Sequence, residues 1–341
     1  MLFPPTIAGS LPKPGWLAET EKLWPKWLLE GDALAQAKRD AALLWIKEEE
    51  NAGIETVSDG EQFRTHFVHG FLETVEGIDW DLKTKMGIRN NRYVVDVPTV
   101  TGRLKRSRPV HRDEAAFCRS HTKKRLKWTL PGPMTICDTL ADGHFGKRAD
   151  MAMAFADILN EEARELEAVG VDVVQFDEPA FNVFMDDVKE WGIAALERAA
   201  AGLKCTTAVH ICYGYGIEAN LKWKETLGAE WRQYEEIFPA INASSITEVS
   251  LECAASHVPV SMIGLLPDKQ LLVGVIDVAS NKIESAEQVA ATIDEALKHA
   301  DAARVQPCTN CGMAPLSRAV AVGKLQALGN GAALARKRHT L

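Results

Sequence analysis

Short runs of β-branched and apolar residues recur along the chain, each closed by a polar or glycine-rich turn and followed by apolar positions at helical spacing. That alternation is how repeated βα units read in sequence. Eight runs are expected to be strands, at residues 5–8, 54–57, 126–130, 171–176, 205–211, 246–251, 272–276 and 303–306. Eight such units predict an α/β fold of the (β/α)8 TIM-barrel class. One intervening helix is expected from Asp150 as N-cap, with Met153, Phe155, Ile158, Leu159, Leu166 and Val169 on its core face and Gly170 as its stop. Another is marked by Ser285 and Gln288 at capping-box spacing, ahead of an apolar face of Val289, Ile293, Ala296 and Leu297.

The stretch 78–125 is too long for an ordinary βα connection and holds its own strand-like run at 93–100. It is expected to form a hairpin inserted between barrel units two and three, over the barrel mouth. Its basic residues Arg103, Lys105, Arg106 and Arg108 are candidates to meet an anionic ligand. No shift of composition and no flexible linker divides the chain, so residues 1–341 are expected to be one catalytic domain. The basic residues 336–339 are expected to be a solvated end.

Composition narrows the function. With 46% hydrophobic and 25% charged residues the chain is globular in character. A formal net charge of -8 argues against a nucleic-acid face, which needs clustered basic residues. No apolar run approaches the roughly 18 residues of a membrane helix, and the amino terminus lacks a basic segment followed by a hydrophobic one. A cytoplasmic protein acting on small molecules is expected. Seven scattered cysteines, at 118, 137, 205, 212, 253, 308 and 311, are unlike a secreted disulfide framework. In a reducing compartment, clustered thiols suggest metal or redox chemistry.

In a βα barrel the reactive groups sit at the carboxyl ends of strands. The residues there are Gly9 and Ser10, then Asp59, Gly60 and Glu61, then Asp177, Glu178 and Pro179, then His210 with Cys212, Glu252 with Cys253, Asp277, and Cys308 with Cys311. Zinc takes four ligands drawn from thiolate, imidazole and carboxylate, and a catalytic zinc keeps one position exchangeable. His210 and Cys212 lie two residues apart, on one face of an extended segment. With Glu252 and Cys311 they make a candidate zinc site. Two alternatives stay open: Cys308 and Cys311 as a redox pair, and Cys308 in place of Glu252.

A free thiol, with a pKa of about 8.5, is mostly protonated at neutral pH, whereas one bound to zinc is deprotonated outright. The site therefore suits alkylation of a substrate thiol. Glu61 and Asp177 at the same mouth can hold an ammonium group, while the backbone amides around Ala8, Gly9 and Ser10 can receive a carboxylate. Together these groups describe an amino acid bearing a thiol.

The motifs TIAGSLPKP at residues 6–14, DGEQFR at 59–64, LPGPMTI at 130–136, QFDEPAF at 175–181, HICYG at 210–214 and TNCGM at 309–313 resemble the catalytic carboxyl-terminal barrel of cobalamin-independent methionine synthase. The likeness spans nearly the whole chain. It implies zinc held by His210, Cys212, Glu252 and Cys311, with Cys308 outside; Glu61 and Asp177 on the homocysteine amino group; and Ser10 near its carboxylate. It also implies methyl transfer to homocysteine, giving methionine. Long members of the family carry a second, amino-terminal barrel for polyglutamylated folate, so the short core form is the one resembled. Two further departures concern the donor: Ala279 stands in GVIDVAS where the long enzymes have a histidine, and TICDTLADG lacks their aromatic residue. The expected donor is 5-methyltetrahydrofolate, with a methylated corrinoid as the alternative and an accessory protein as a possible partner. Alkylation of another thiol is a second reading; binding of a thiol or methyl group without turnover is a third.

Overall fold

The computed structural model describes residues 1–340. Seven strands form one parallel sheet: β1 (Thr56–Val57), β4 (Arg125–Pro131), β6 (Val173–Asp177), β7 (Thr206–Ile211), β8 (Glu248–Leu251), β9 (Gln270–Ile276) and β10 (Val305–Thr309), in that order. A second sheet holds β2 (Val75–Ile88), β3 (Tyr93–Arg106) and β5 (Ala141–Asp142). The segment 5–8 touches both outer strands of the large sheet. Thr6 makes a parallel bridge with Thr56 and donates its N–H to the Pro307 carbonyl at 3.0 Å. The sheet therefore curls.

Parallel strands need crossovers, and the crossovers here are helices that bury the outer sheet face. Strand β6 is buried at all five positions, with Val173, Val174 and Phe176 packing in the core. Between β4 and β6 runs the helix Arg148–Ala168, which buries Phe155, Ile158, Leu159 and Leu166 and ends at Gly170, where φ is +94°. It begins two residues before the expected Asp150, which lies in the first turn instead. The capping box at Ser285 forms as expected, with Ser285 and Gln288 bonded reciprocally at the start of the helix Ala286–Ala296. The last strand is displaced from 303–306, because Ala302–Arg304 makes a 3-10 turn first. The basic end is helical to His339 rather than free. Arg336 donates to the Leu2 carbonyl at 2.9 Å, and Arg338 and His339 both pair with Asp294.

The long excursion after β1 is an antiparallel hairpin of β2 and β3, fourteen residues each, followed by the helix Arg112–His121. Arg89, Asn90 and Asn91 turn it with φ of 52°, 55° and 63°, a left-handed run that asparagine tolerates better than most residues. Ion pairs pin it at both ends. At the base Arg106 meets Glu162 and Glu165 of the helix Arg148–Ala168; at the tip Arg89 meets Asp138. Arg106 is thus committed to the fold, not free to meet an anion.

Glu178 follows β6 and carries a second structural load. Its carboxylate accepts from the N–H groups of Met134 and Thr135 at 3.0 and 2.8 Å and from the Thr135 hydroxyl at 2.7 Å. It therefore satisfies the free amides that open the helix Pro133–Cys137. The fit leaves no room at Gly132, where an added Cβ would stand 2.2 Å from the Glu178 carboxyl carbon. Gly132→Ala is expected to lower stability by roughly 1–3 kcal/mol, the scale of an overpacked core site. Gly15→Ala, whose Cβ would meet nothing closer than 3.5 Å, is the control in a denaturant titration and should shift little.

Candidate active site

Parallel pairing sets the strand ends in step. Pro131 is opposite Asp177, Asp177 opposite His210, and His210 opposite Ser250, so four strands deliver these residues to one level. His210 and Cys212 share the inner face two residues apart, and Cys311 comes from the loop after β10. The three are buried, and their ligand atoms lie within 4.8 Å of one another. Ser250 Oγ is 2.8 Å from His210 Nδ1, which fixes the ring and leaves Nε2 buried with no partner. Cys212 Sγ and Cys311 Sγ are 3.1 Å apart. Their hydrogen bond pulls the Cys212 thiol well below its usual range and pushes Cys311 well above it. An orphaned imidazole nitrogen beside two thiols is a donor set that suits a tetrahedral soft cation such as zinc.

Glu252 stands outside this group. Its Oε1 accepts from Lys224 Nζ at 2.8 Å and its Oε2 from the Tyr213 N–H at 3.1 Å. Cys308 also lies apart, with Sγ 3.9 Å from Ser250 Oγ, and all seven cysteines are free thiols.

The second half of the site is carboxylate-lined. Glu61 adopts a left-handed φ of 60°, and Lys13 Nζ donates to its carbonyl at 2.6 Å. Its Oε1 accepts from Thr129 Oγ1 at 3.1 Å, and Arg64 stands 3.7 Å away, almost fully buried. Gly9 passes so close that an added Cβ would meet Glu61 Oε1 at 2.8 Å. Asp177 accepts from Gln175 Nε2 at 2.8 Å, and the same amide donates to the Ala8 carbonyl at 2.6 Å. Burial pushes the Asp177 carboxyl up to about 7, so it gains from a cationic partner. Ser10 Oγ lies 3.2 Å from Tyr215 Oη. Ala8, Gly9, Ser10, Glu61 and Asp177 line the same cavity of about 490 Å³ as His210, Cys212 and Cys311.

The outer wall of that cavity comes from the hairpin and an amino-terminal loop. Lys83, Arg89 and Arg92 supply positive charge, and Trp24 stacks on His66 with 3.4 Å between ring centroids. Arg103, Lys105, Arg106 and Arg108 do not line it. The positive side chains therefore differ from those expected, because the hairpin turns residues 83–92 inward and leaves 103–108 at its base. Sequence reasoning also missed Ser250, Gln175, Thr129 and Arg64, the supports of the chemistry-bearing groups. The two-residue alternation relates Gln175 to Asp177 and Ser250 to Glu252. Nothing local marks Arg64 or Lys224.

A family model described as cobalamin-independent synthase, catalytic domain, matches residues 3–334, and the chain belongs to that family. It is an enzyme, a methyltransferase of the methionine synthase type. The chain is similar to the methionine synthase of Sulfolobus acidocaldarius, 29% identical over 98% of this chain and 93% of that one, and to that of Saccharolobus solfataricus at 27% over 98% and 96%. The structure of a B12-independent methionine synthase from Shewanella sp. W3-18-1, in complex with selenomethionine, superposes with a TM-score of 0.97 at 55% identity, covering 99% of both chains. A putative vitamin-B12 independent methionine synthase from Listeria monocytogenes shares the fold, at a TM-score of 0.65 and 17% identity over 88% of this chain and 87% of that one. Among the described residues no helix is long and apolar enough to cross a membrane.

The serine at the back of His210 provides a test of cation binding that needs no substrate. Ser250→Ala leaves every donor atom in place but frees the ring, and is expected to weaken zinc or cobalt affinity ~10–100-fold in a chelator competition, the usual scale for a residue that orients a ligand.

Proposed function

We propose that the chain is a single-domain, zinc-dependent methyltransferase that moves a methyl group to the homocysteine thiolate, in a closed (β/α)8 barrel completed by segment 5–8 and covered by the inserted hairpin. One observation carries the reading. The unpartnered His210 Nε2 and the Cys212–Cys311 pair share a cavity with Glu61 and Asp177, so thiol chemistry and amino-acid recognition meet in one place. The bridge and hydrogen bond of Thr6 support barrel closure.

His210, Cys212 and Cys311 would hold zinc, with Glu252 as the fourth, exchangeable ligand. Zinc bound there would keep a substrate thiol deprotonated and still nucleophilic at neutral pH. The chain's own residues do the rest. Glu61 and Asp177 accept the substrate ammonium, held in place by Thr129, Arg64 and Gln175. Ser10 and the amides near Ala8 and Gly9 receive the carboxylate, with Tyr215 beside Ser10. Holding the ammonium and the carboxylate, both on Cα, directs the side-chain sulfur toward the two cysteines, so that most of the entropic cost of alignment is met on binding. The sulfur lone pair then attacks the methyl carbon in line. An S–CH3 bond forms, and the electron pair of the broken bond leaves with the donor.

The donor enters from the hairpin side. The reading favours 5-methyltetrahydrofolate, because an anionic tail can meet Lys83 and Arg92 and a flat ring can meet Trp24 and His66. A methylated corrinoid is the second reading, favoured by the aromatic residue missing from residues 135–143. The decisive experiment gives zinc-loaded protein and homocysteine each donor in turn, with and without extract of the source cell, and measures methionine. Activity with methylcobalamin but none with methyltetrahydrofolate, extract included, would overturn the folate reading. Folate activity that appears only with extract would reveal a required partner.

Three variants test the ligand set. Cys212→Ser and Cys311→Ser should each lose most of the zinc by metal analysis, whereas Cys308→Ser should retain it; loss of zinc from the Cys308 variant alone would favour the other thiol. Glu61→Gln should keep its zinc but raise the KM for homocysteine about 10- to 100-fold, the cost of replacing a charged hydrogen-bond partner by a neutral one.

A further inference from the structure

The carboxylate of Glu252 stands next to the group of His210, Cys212 and Cys311 without belonging to it. It lies two residues beyond the Ser250 that supports His210, and its Oε2 accepts from the amide of Tyr213, the residue after Cys212. Both its oxygens are thus engaged, one by Lys224 and one by the Tyr213 amide. Both partners of the ion pair are deeply buried, with side chains 10% and 4% exposed. Such a pair is strongly disfavoured when one partner is removed alone, since the other charge is then left without compensation.

Lys224 is itself held in place. It lies on the helix Glu218–Lys224, next to Trp223, whose ring is covered by the Arg92 guanidinium at 3.3 Å and stacks near Tyr213 at 5.8 Å. Arg92 also donates to Asn220 Oδ1 at 3.0 Å, and Asn220 donates to the Tyr215 carbonyl at 2.9 Å. The ammonium of Lys224 sits 5.2 Å from the Trp231 ring centre. The lysine is thus anchored by the hairpin turn and the loop that carries Cys212, and cannot follow Glu252 freely.

We propose that Lys224 is the positioning residue for the exchangeable ligand: it gives the Glu252 carboxylate a seat off the metal, and so opens the fourth position to the thiol of the substrate. The inference rests on the zinc reading above. Without Lys224 the carboxylate has one compensating partner left, the cation. It then competes with the incoming thiol.

The test uses the full chain loaded with cobalt in place of zinc, as wild type, Lys224→Met, Lys224→Arg, Glu252→Gln and the Lys224→Met/Glu252→Gln double variant. Cobalt affinity is measured by chelator competition, and homocysteine binding by the growth of the sulfur-to-cobalt charge-transfer band. Lys224→Met is expected to bind cobalt at least ~10-fold more tightly and homocysteine more weakly by a similar factor, on the scale at which residues around a metal change its affinity. Lys224→Arg should restore both values toward wild type. The double variant should recover homocysteine binding, because no carboxylate remains to compete. Lys224→Met with unchanged cobalt and homocysteine affinities, or weakened homocysteine binding that persists in the double variant, overturns the proposal. Wild-type protein that takes up no cobalt through Cys212 and Cys311 overturns the zinc reading instead, which separates the two failures. Circular dichroism of each variant identifies any loss of fold, and the Lys224→Arg pair of measurements then decides.

Discussion

The common level at which the parallel strands end is the constraint on which the site depends. Pro131, Asp177, His210 and Ser250 stand side by side across β4, β6, β7 and β8. A slip of one residue in any of these strands would turn its side chains to the other face, removing a thiol, an imidazole or a carboxylate from the cavity. Both faces of the sheet are buried, so such a slip would also expose core residues and strand polar ones in the interior. Stability and site geometry therefore impose the same register.

The cavity also concentrates acidic groups. Glu61 and Asp177 line it with two thiols, and Glu252, outside the lining, is buried as well, while Arg64, Lys13 and Lys224 supply positive charge. Burying carboxylates without matching cations is costly, and the high range of Asp177 reflects that cost. Under the proposed function, a substrate ammonium and a divalent cation would supply further positive partners. The carboxylates disfavour anions at this inner end, whereas Lys83 and Arg92 make the outer end receptive to them. Polarity thus reverses along the cavity, which fits an amino acid inside and an anionic donor outside.

Much of this was legible along the chain. Seven of the eight expected strand positions followed from apolar runs closed by turns, since a strand buried on both faces reads as a continuous apolar run, whereas residues 5–8 make a single bridge. The thiol and carboxylate groups were visible because strand ends are where such folds keep chemistry. Boundaries were less visible: the shift of the last strand to Val305–Thr309 depends on a 3-10 turn with no strong sequence mark. The role of Arg106 was misplaced, because its partners Glu162 and Glu165 lie more than fifty residues away, on a helix whose docking only the fold determines. The engagement of Glu252 by Lys224 was hidden for the same reason. Spacing shows which face a residue takes, and says nothing of a lysine arriving from a helix such as Glu218–Lys224.

The central claim is that the substrate thiol binds at the place marked by His210, Cys212 and Cys311. X-ray absorption at the zinc edge of the loaded protein, recorded with and without homocysteine, addresses it directly. One additional sulfur is expected in the zinc shell when homocysteine is present, with nitrogen from His210 retained. A shell unchanged by homocysteine at saturating concentration would contradict it.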